Sequence, residues 1–337
     1  MLPKNALLFS SRAPVGYVAI ASNPVCTNQG FKSFVLPSGF DPRFGYFYLR
    51  HIKPIAEAMA TGTTFKELSG AAAAKLPFVI APLAEQKRIA DKLEAVLGRV
   101  DACRARLDRL PALLKRFRQS VLAAATLGKL TEEWRMTNRV SDEWEDTTVG
   151  SIITRVEAGL NVQCDERPPR SDERGLVKIS AVTWGTYDDE KSKTLPTHVK
   201  VPDSTRIRVG DFLISRANTL ELVGACVIVH KVTRPVFLSD KILRLVLPDA
   251  IKPWLLIVLQ SPPGRQQIES LATGNQLSMR NLAQANLRQI LVPNPSSSER
   301  QEIVRRVEDL FAFADRIEAR LAVAQKTIER LTPSVLA

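Results

Sequence analysis

Cysteine is scarce in this sequence, and the few cysteines are scattered. None belongs to a CxxC pair, and all four are far apart along the chain: Cys26, Cys103, Cys164 and Cys226. The sequence therefore predicts neither a disulfide framework nor a zinc site. No apolar run reaches the length of a membrane-spanning helix, and the first residues lack the apolar stretch of a secretory signal. We expect a protein of the reducing cytoplasm with no membrane partner.

The sequence also lacks the motifs of the common enzyme classes. It contains no GxGxxG, no GxxxxGK[ST] and no HExxH, nor the Asn-Pro-Pro-aromatic or Asp-Pro-Pro-Tyr motif of amino-methyltransferases. The acidic run 188–191 superficially resembles the carboxylate cluster of a nuclease. No strand-borne partner acid accompanies it, so we interpret it as a solvated turn. We expect no catalytic residue, no metal ligand and no cofactor on this chain.

Charge is the first positive signal. The chain carries 47 lysines and arginines against 35 acidic residues, a formal net charge of +12. A protein this basic usually binds a polyanion, and nucleic acid is the commonest one. The alternative is a basic surface with no such partner.

The longest pattern in the chain is a heptad repeat that occurs twice. Apolar residues recur in alternating steps of four and three from Ile89 to Val121, and adding 214 gives a second series from Ile303 to Val335. Without gaps, residues 85–123 match residues 299–337 at 12 of 39 positions. Two long helices are therefore predicted, each with an apolar seam that packs on a partner. Cys103 lies on the first seam, where we expect it to pack as a small apolar residue.

Local signals give the first helix its limits. Pro82 is favoured in a first helical turn, and Leu127-Gly128 offers a stop. Pro111 removes a backbone hydrogen bond inside the helix, so we expect a kink or break there.

These signals divide the chain into five segments and predict an α+β protein. Mixed α/β domains alternate with two long antiparallel coiled-coil helices. Short β-prone runs, such as 76–80 and 290–292, occur in both domains. The segments are a partial first domain (1–81), the first long helix (82–130), a polar linker (131–148), a second domain (149–294) and the second long helix (295–337).

The repeat continues upstream of the helices. Thr61-Gly62 parallels Thr273-Gly274, and the run that ends at Arg12 parallels the run that ends at Arg216. The first copy has no counterpart of about residues 149–210. We therefore expect the second domain to be the complete one.

Several of these motifs resemble the specificity subunits of type I restriction–modification systems. Residues 82–89 enter the heptad helix as the central conserved region of that family does, and residues 120–123 and 127–130 follow in the same order. Residues 61–66 resemble the end of a target-recognition domain, and residues 210–216 resemble its middle. The family usually begins with a complete first domain, so the resemblance implies an N-terminally shortened subunit.

The resemblance implies a function as well as a fold. In this family each target-recognition domain reads half of a bipartite double-stranded DNA target, and the helices act as a ruler. Methyltransferase subunits dock on the helices, restriction subunits can join, and S-adenosylmethionine, ATP and Mg belong to those partners. Self-association of the shortened chain is a further expectation. The alternatives are a coiled-coil adaptor, a truncated inactive remnant that does not read DNA alone, and a nuclease.

Eleven residues are candidates for DNA contact. Arginine can contact guanine or a phosphate, asparagine and glutamine can pair with adenine, and lysines contact phosphates. Each also has a simpler interpretation: a salt-bridged arginine, a helix cap, a solvated lysine, or an aromatic ring that packs in the core or a turn. The candidates are Arg12, Thr63, Lys66, Lys178, Trp184, Tyr187, Arg216, Asn218, Asn275, Gln276 and Arg280.

Overall fold

The computed structural model describes residues 1–12, 14–62, 65–141, 143–170, 172–276 and 279–336. The chain forms two compact units, which we call unit 1 (Met1–Ala112 with Arg316–Ala337) and unit 2 (Leu113–Asp315). Both contain helices and strands, and the long helices lie where the heptads predict them, so the α+β prediction is confirmed. No helix among the described residues is long and apolar enough to cross a membrane.

Unit 1 is a small antiparallel sheet covered by short helices. Strands β1 and β2 pair with Leu7 opposite Ile20, and Asp41 caps α1 by accepting a hydrogen bond from the Arg43 backbone. The core contains Phe9 and Leu68, both fully buried. The elements are β1 (Leu7–Phe9), β2 (Val18–Ile20), α1 (Pro42–His51), α2 (Lys53–Met59), α3 (Gly70–Ala73) and α4 (Leu83–Leu107).

The strand predicted at 76–80 does not form. Residues 77–80 have no strand partner among the described residues, and Ile80 is 77% exposed. A β-prone sequence becomes a strand only where another strand takes up its hydrogen bonds.

The first long helix is two helices. α4 ends at Leu107 and α5 (Leu110–Thr126) begins three residues later. Pro111 lies in the first turn of α5, where its missing N–H is tolerated, and its ring excludes a continuous helix across Leu107. This agrees with the break predicted at Pro111. The chain then leaves α5 through Gly128, whose φ of +72° suits glycine.

The buried stripe of α4 differs from the predicted seam. Ala90 and Leu97 are buried against Phe44 and Phe47 of α1, whereas Cys103 is exposed. The prediction that Cys103 packs in the seam is therefore wrong. Helix α1 covers the side of α4 that carries Ala90 and Leu97. The buried face of α4 therefore extends beyond the predicted a/d seam on that side.

Unit 2 holds the second domain with helices at both of its chain ends. Its core joins the sheet to the helices and includes Phe212, Trp254, Val121 and Val307. The remaining elements are α6 (Glu132–Asn138), β3 (Glu145–Thr148), α7 (Val149–Ile152), β4 (Arg155–Ala158), β5 (Gly175–Val177), β6 (Ser192–Thr194), β7 (Phe212–Ser215), β8 (Ala217–Asn218), β9 (Cys226–Ile228), β10 (Val236–Phe237), β11 (Ile242–Val246), α8 (Lys252–Gln260), α9 (Pro262–Leu271), β12 (Thr273–Gln276), β13 (Met279–Asn281), α10 (Gln284–Gln289), β14 (Leu291–Asn294) and α11 (Ser297–Leu336).

The described residues of unit 2 form four sheets. The central sheet has the order β4-β11-β7-β9 and is antiparallel throughout. A second sheet, β10-β5-β6, contains one parallel pair. The other two sheets are β12-β13-β8 and β14-β3. Phe212 and Ile214 of β7 are fully buried, which fixes the central strand on the core.

In each unit the long helices run antiparallel. In unit 1, Leu93 contributes to the same cluster as Val335, and Leu107 lines a groove with Ile317. In unit 2, Arg118 forms an ion pair with Asp315 at 2.5 Å. Farther along the chain, the Leu130 carbonyl accepts from Arg306 at 2.8 Å, nearer the start of α11, so the direction is opposite.

The predicted linker is structured and carries a buried clamp. Residues 132–138 form α6, and residues 145–148 pair with β14. Glu299, in the first turn of α11, packs against this segment, and its carboxylate is fully buried. It accepts hydrogen bonds from Thr131 (2.7 Å), Arg135 (2.6 Å) and Trp144 (3.0 Å). The Ser296 hydroxyl accepts a hydrogen bond from the Glu299 backbone N–H at 3.2 Å and so caps the start of α11.

Replacing Glu299 tests this clamp. Glu299→Ala leaves the Arg135 cation and two neutral donors without their acceptor, so we expect the free energy of unfolding to fall by about 3 kcal/mol. All four tryptophans (134, 144, 184 and 254) lie in unit 2, so urea unfolding followed by tryptophan fluorescence reports on this unit. Glu308→Ala removes an exposed carboxylate from the same helix and should change stability by less than about 0.5 kcal/mol. Equal effects of the two changes would contradict a special role for Glu299.

Candidate nucleic-acid interface

A three-stranded sheet of unit 2 gathers five of the predicted residues. β13 pairs with β12 on one side and with β8 on the other, so that Arg280 lies opposite Asn218. The Arg216 backbone is fixed next to this sheet, because its N–H donates to Lys241 and its carbonyl accepts from Leu282. Leu282 is buried and anchors the hairpin to the core. The residues brought together are Arg216, Asn218, Asn275, Gln276 and Arg280.

Arg280 braces the hairpin. Its Nη1 donates to the carbonyl of Gly274 at 2.8 Å, and its Nε is buried with no hydrogen-bond partner among the described residues. Gly274 has a φ of +135°, and a Cβ there would collide with the carbonyl of Met279. Glycine is therefore required for the hairpin to close at this point.

Arg216 and Asn218 have different surroundings. The Asn218 Oδ1 accepts a hydrogen bond from the Thr219 backbone at 2.9 Å, so this acceptor is already used within the turn. The half-buried Arg216 side chain donates from Nε to the Oδ1 of Asn281 at 3.4 Å. Asn281 itself is exposed on β13.

A lysine-lined cleft adjoins this sheet through Lys241. Its volume is about 420 Å³. Lys178 and Lys193 both pair with Glu166, at 3.5 and 2.6 Å. The hydrogen bond from Lys193 is the main reason that the pKa of the Glu166 carboxyl lies below its usual range. Polar residues that line the cleft are Asn161, Lys178, Ser180, Lys193, Ser239, Asp240 and Lys241.

The two predicted aromatic residues separate. Trp184 is 74% exposed, so its ring is available for contact. Tyr187 packs against a buried apolar cluster, and its hydroxyl is buried without a partner among the described residues. Burial raises the pKa of Tyr187. The core-packing interpretation therefore fits Tyr187 and does not fit Trp184.

Unit 1 contains a smaller version of this three-stranded arrangement, at the positions that the internal repeat indicates. Lys66 is exposed, and Thr61 exchanges backbone hydrogen bonds with Glu67, as Thr273 pairs with Asn281 in unit 2. Arg12 forms an isolated bridge with Glu67. Thr63 lies outside the described residues.

The predicted match between Arg12 and Arg216 is off by one residue. Leu68 donates to the Ser11 carbonyl, whereas Leu282 donates to the Arg216 carbonyl. Ser11 therefore holds the position of Arg216, and Arg12 holds that of Ala217. The flanking strands agree, because the Ser10 N–H donates to Tyr17 as the Ser215 N–H donates to Ala225.

Asn281 and Lys241 both contact Arg216 in the candidate interface, and the sequence analysis missed them. Asn281 directly follows the predicted Arg280, and the repeat aligns it with Glu67, but only strand pairing shows that it reaches Arg216. Lys241 follows a buried loop and carried no motif.

The acidic run at 188–191 is not wholly solvated. Asp189 is buried and accepts hydrogen bonds from the hydroxyl of Thr233 at 3.1 and 2.9 Å, so it serves the fold. Among the residues that the structure describes, no group of three or more His, Cys, Asp or Glu side chains is placed to hold a metal ion.

Comparison with known proteins gives a consistent picture. The family model of the type I restriction modification DNA specificity domain matches residues 1–111. The chain is 32% identical to the EcoKI specificity subunit of Escherichia coli K12, over 98% of this chain and 72% of that subunit. It is 29% identical to the EcoBI specificity subunit of Escherichia coli, over 94% of this chain and 69% of that subunit.

Solved structures share the fold. The HsdS subunit of Thermoanaerobacter tengcongensis superposes with a TM-score of 0.63 at 17% identity, over 99% of this chain and 80% of that one. A chain from a study of complex assembly and conformational transition in the type I R-M system gives a TM-score of 0.68 at 15% identity, over 99% and 81%. The sequence identities and the shared fold together lead to one assignment: the chain belongs to the family of type I restriction enzyme specificity subunits, the non-catalytic subunits that recognise DNA in restriction–modification systems.

Proposed function

We propose that unit 2 reads one half of a bipartite DNA target through the β12-β13-β8 sheet. The observation that carries the proposal is the pairing of Arg280 with Asn218 on neighbouring strands, with Arg216 held beside them by Lys241, which lines the lysine-lined cleft. Side chains of this kind on a β-ribbon can reach base edges in the major groove. Neighbouring lysines supply contacts to phosphates, which position the protein without selecting sequence. We propose that the working complex lies in the cytoplasm, together with the DNA that it binds.

Arg216→Ala tests the base contact. If Arg216 reads a base, the variant should lose about 1–3 kcal/mol of discrimination at one position of the target and keep the rest. The measurement is the affinity of the assembled complex for oligonucleotides that are substituted at each position in turn. Lys193→Ala is the phosphate control. It should weaken binding about equally for all sequences and reduce the salt dependence.

A uniform loss from Arg216→Ala would make Arg216 a phosphate contact. Unchanged discrimination at every position would remove this residue from the interface.

We further propose that the paired helices of unit 1 dock a methyltransferase subunit. A groove of about 600 Å³ runs between the two helices, and most of its lining is apolar. Val323 is 66% exposed in this groove. A two-helix pair that leaves apolar side chains in water is completed when a partner's helix covers them. The groove is lined by Leu107, Leu110, Ile317, Ala319, Arg320, Leu321, Val323 and Ala324.

Val323→Asp tests the docking groove. The buried charge should weaken assembly with the methyltransferase subunit by at least tenfold, because an unpaired carboxylate must be desolvated. Sedimentation of the mixed subunits measures assembly, and methyl transfer should fall in parallel, since the isolated chain should transfer none. Ala322→Asp places the same charge on the next residue, which is exposed and does not line the groove. Assembly by both variants as in the wild type would contradict docking at this groove.

We propose that helix length sets the spacer between the two half-sites. Inserting one heptad between Leu97 and Val100, with a matching heptad between Ile328 and Leu331, keeps both seams in phase and lengthens the pair by about 10 Å. At about 3.4 Å per base pair, the preferred spacer should grow by about three base pairs. Sequencing of methylated sites in cells that carry the variant and its partner measures the spacer.

A heptad inserted after Arg139 provides the control. This position lies between α6 and β3, outside the paired helices. The control should leave the spacer unchanged. If the complex with the lengthened helices methylates DNA at sites with the original spacer, helix length does not set the spacer.

A further inference from the structure

Asn281 lies next to Arg216 on the proposed reading surface. The Arg216 backbone is held on two sides, by Lys241 and by Leu282. Its side chain leaves this fixed point and donates from Nε to the Oδ1 of Asn281 at 3.4 Å. Asn281 is in turn fixed by β13, where it pairs with Ala217 on one side and Thr273 on the other.

The hydrogen bond to Nε has a chemical consequence. A guanidinium has five N–H donors in a planar fork. With Nε donating to Asn281, the two terminal Nη groups form the remaining edge, and this edge matches the O6 and N7 acceptors of guanine. An arginine that is held in this way loses less side-chain entropy when it binds than one that is free in solvent.

The internal repeat separates the scaffold from the variable positions. In both units a Thr-Gly pair opens the turn, with Gly62 at φ +128° and Gly274 at +135°. A buried leucine closes it, Leu68 in unit 1 and Leu282 in unit 2. These scaffold residues are the same in the two copies.

The two units differ at the positions that correspond to Arg216 and Asn281. Ser11 stands where unit 2 has Arg216, and Glu67 stands where it has Asn281. The two positions that touch each other in unit 2 are both different in unit 1. If the copies read different half-sites, this is where their base preferences diverge.

We propose that Arg216 and Asn281 form one reading pair for a guanine in the half-site of unit 2, with Asn281 as its positioning and specificity residue. The inference rests on the proposed function, because it requires that this sheet contacts DNA. Asn281 acts through Arg216, and its own role is to aim the guanidinium at the base.

Two substitutions at Asn281 distinguish aiming from bulk. Asn281→Leu keeps a similar volume and removes the acceptor, so discrimination for guanine should fall about tenfold at the position that Arg216→Ala affects. Asn281→Asp keeps an acceptor for Nε, and discrimination should stay within about twofold of the wild type. Gln284→Leu, which removes an exposed amide from the nearby α10, should change nothing. Asn281→Ala replaces the leucine variant if thermal unfolding shows that the latter does not fold.

The measurement is a double-mutant cycle on the assembled complex with target oligonucleotides that carry each base at each position. The double variant Arg216→Ala, Asn281→Leu should discriminate guanine from the other bases no worse than Arg216→Ala alone. The reason is that the Asn281 side chain affects the base only by holding the Arg216 guanidinium. Three outcomes would overturn the inference and leave the proposed function in place. The losses of discrimination from the two substitutions could multiply in the double variant. Asn281→Leu could instead change discrimination at a different position of the target, or leave the preference for guanine unchanged. If Arg216→Ala changes no position, the proposed base contact itself has failed.

Discussion

The buried carboxylate of Glu299 is the constraint on which the architecture of unit 2 depends. A fully buried charge needs donors on every side, and Thr131, Arg135 and Trp144 supply them from the segment that joins α5 to the domain. Trp144 also packs edge-on against Trp254 in the core at 6.0 Å. The start of α11, the joining segment and the domain core are therefore fixed together, and β3 leaves this point to pair with β14.

The repeat shows that the same residue need not have the same role twice. Glu85 is the counterpart of Glu299, at a distance of 214 in the sequence. Its carboxylate is 41% exposed and pairs with Arg88 one turn along the same helix, at 2.6 Å. The pairing with Arg88 lowers the pKa of Glu85. An exposed pair of this kind contributes little to stability, so the sequence match alone could not show which copy carries the clamp.

Periodicity predicted the helices well and their surroundings less well. The heptads correctly indicated α4, α5 and α11, and Pro111 indicated the break, because these are local properties of the chain. Which side of α4 is buried depends on Phe44 and Phe47, which are distant in sequence. The same limit explains residues 77–80. Their β-prone sequence resembles that of β14, but a strand needs a partner, and pairing between distant segments has no local signature.

For the candidate site, the sequence indicated the residue types at 216, 218 and 280. It could not indicate that β8 pairs with β13, which is what brings Asn281 to Arg216. The backbone hydrogen bonds that align Ser11, and not Arg12, with Arg216 have no local sequence signature either.

The distribution of ion pairs changes what the net charge implies. A charge of +12 suggests a broad electrostatic contribution to DNA binding, yet Lys178 and Lys193 in the cleft already share Glu166, and Lys241 lies 3.3 Å from Asp240. A phosphate that approaches these lysines must compete with carboxylates, so each contact exchanges one ion pair for another and adds less than a free lysine would. Arg216 is different, since its partner at Nε is the neutral side chain of Asn281, and none of the carboxylates in the described part of the chain forms an ion pair with it. In this domain, therefore, the proposed base contact of Arg216 is electrostatically better prepared than the proposed phosphate contacts of the lysines.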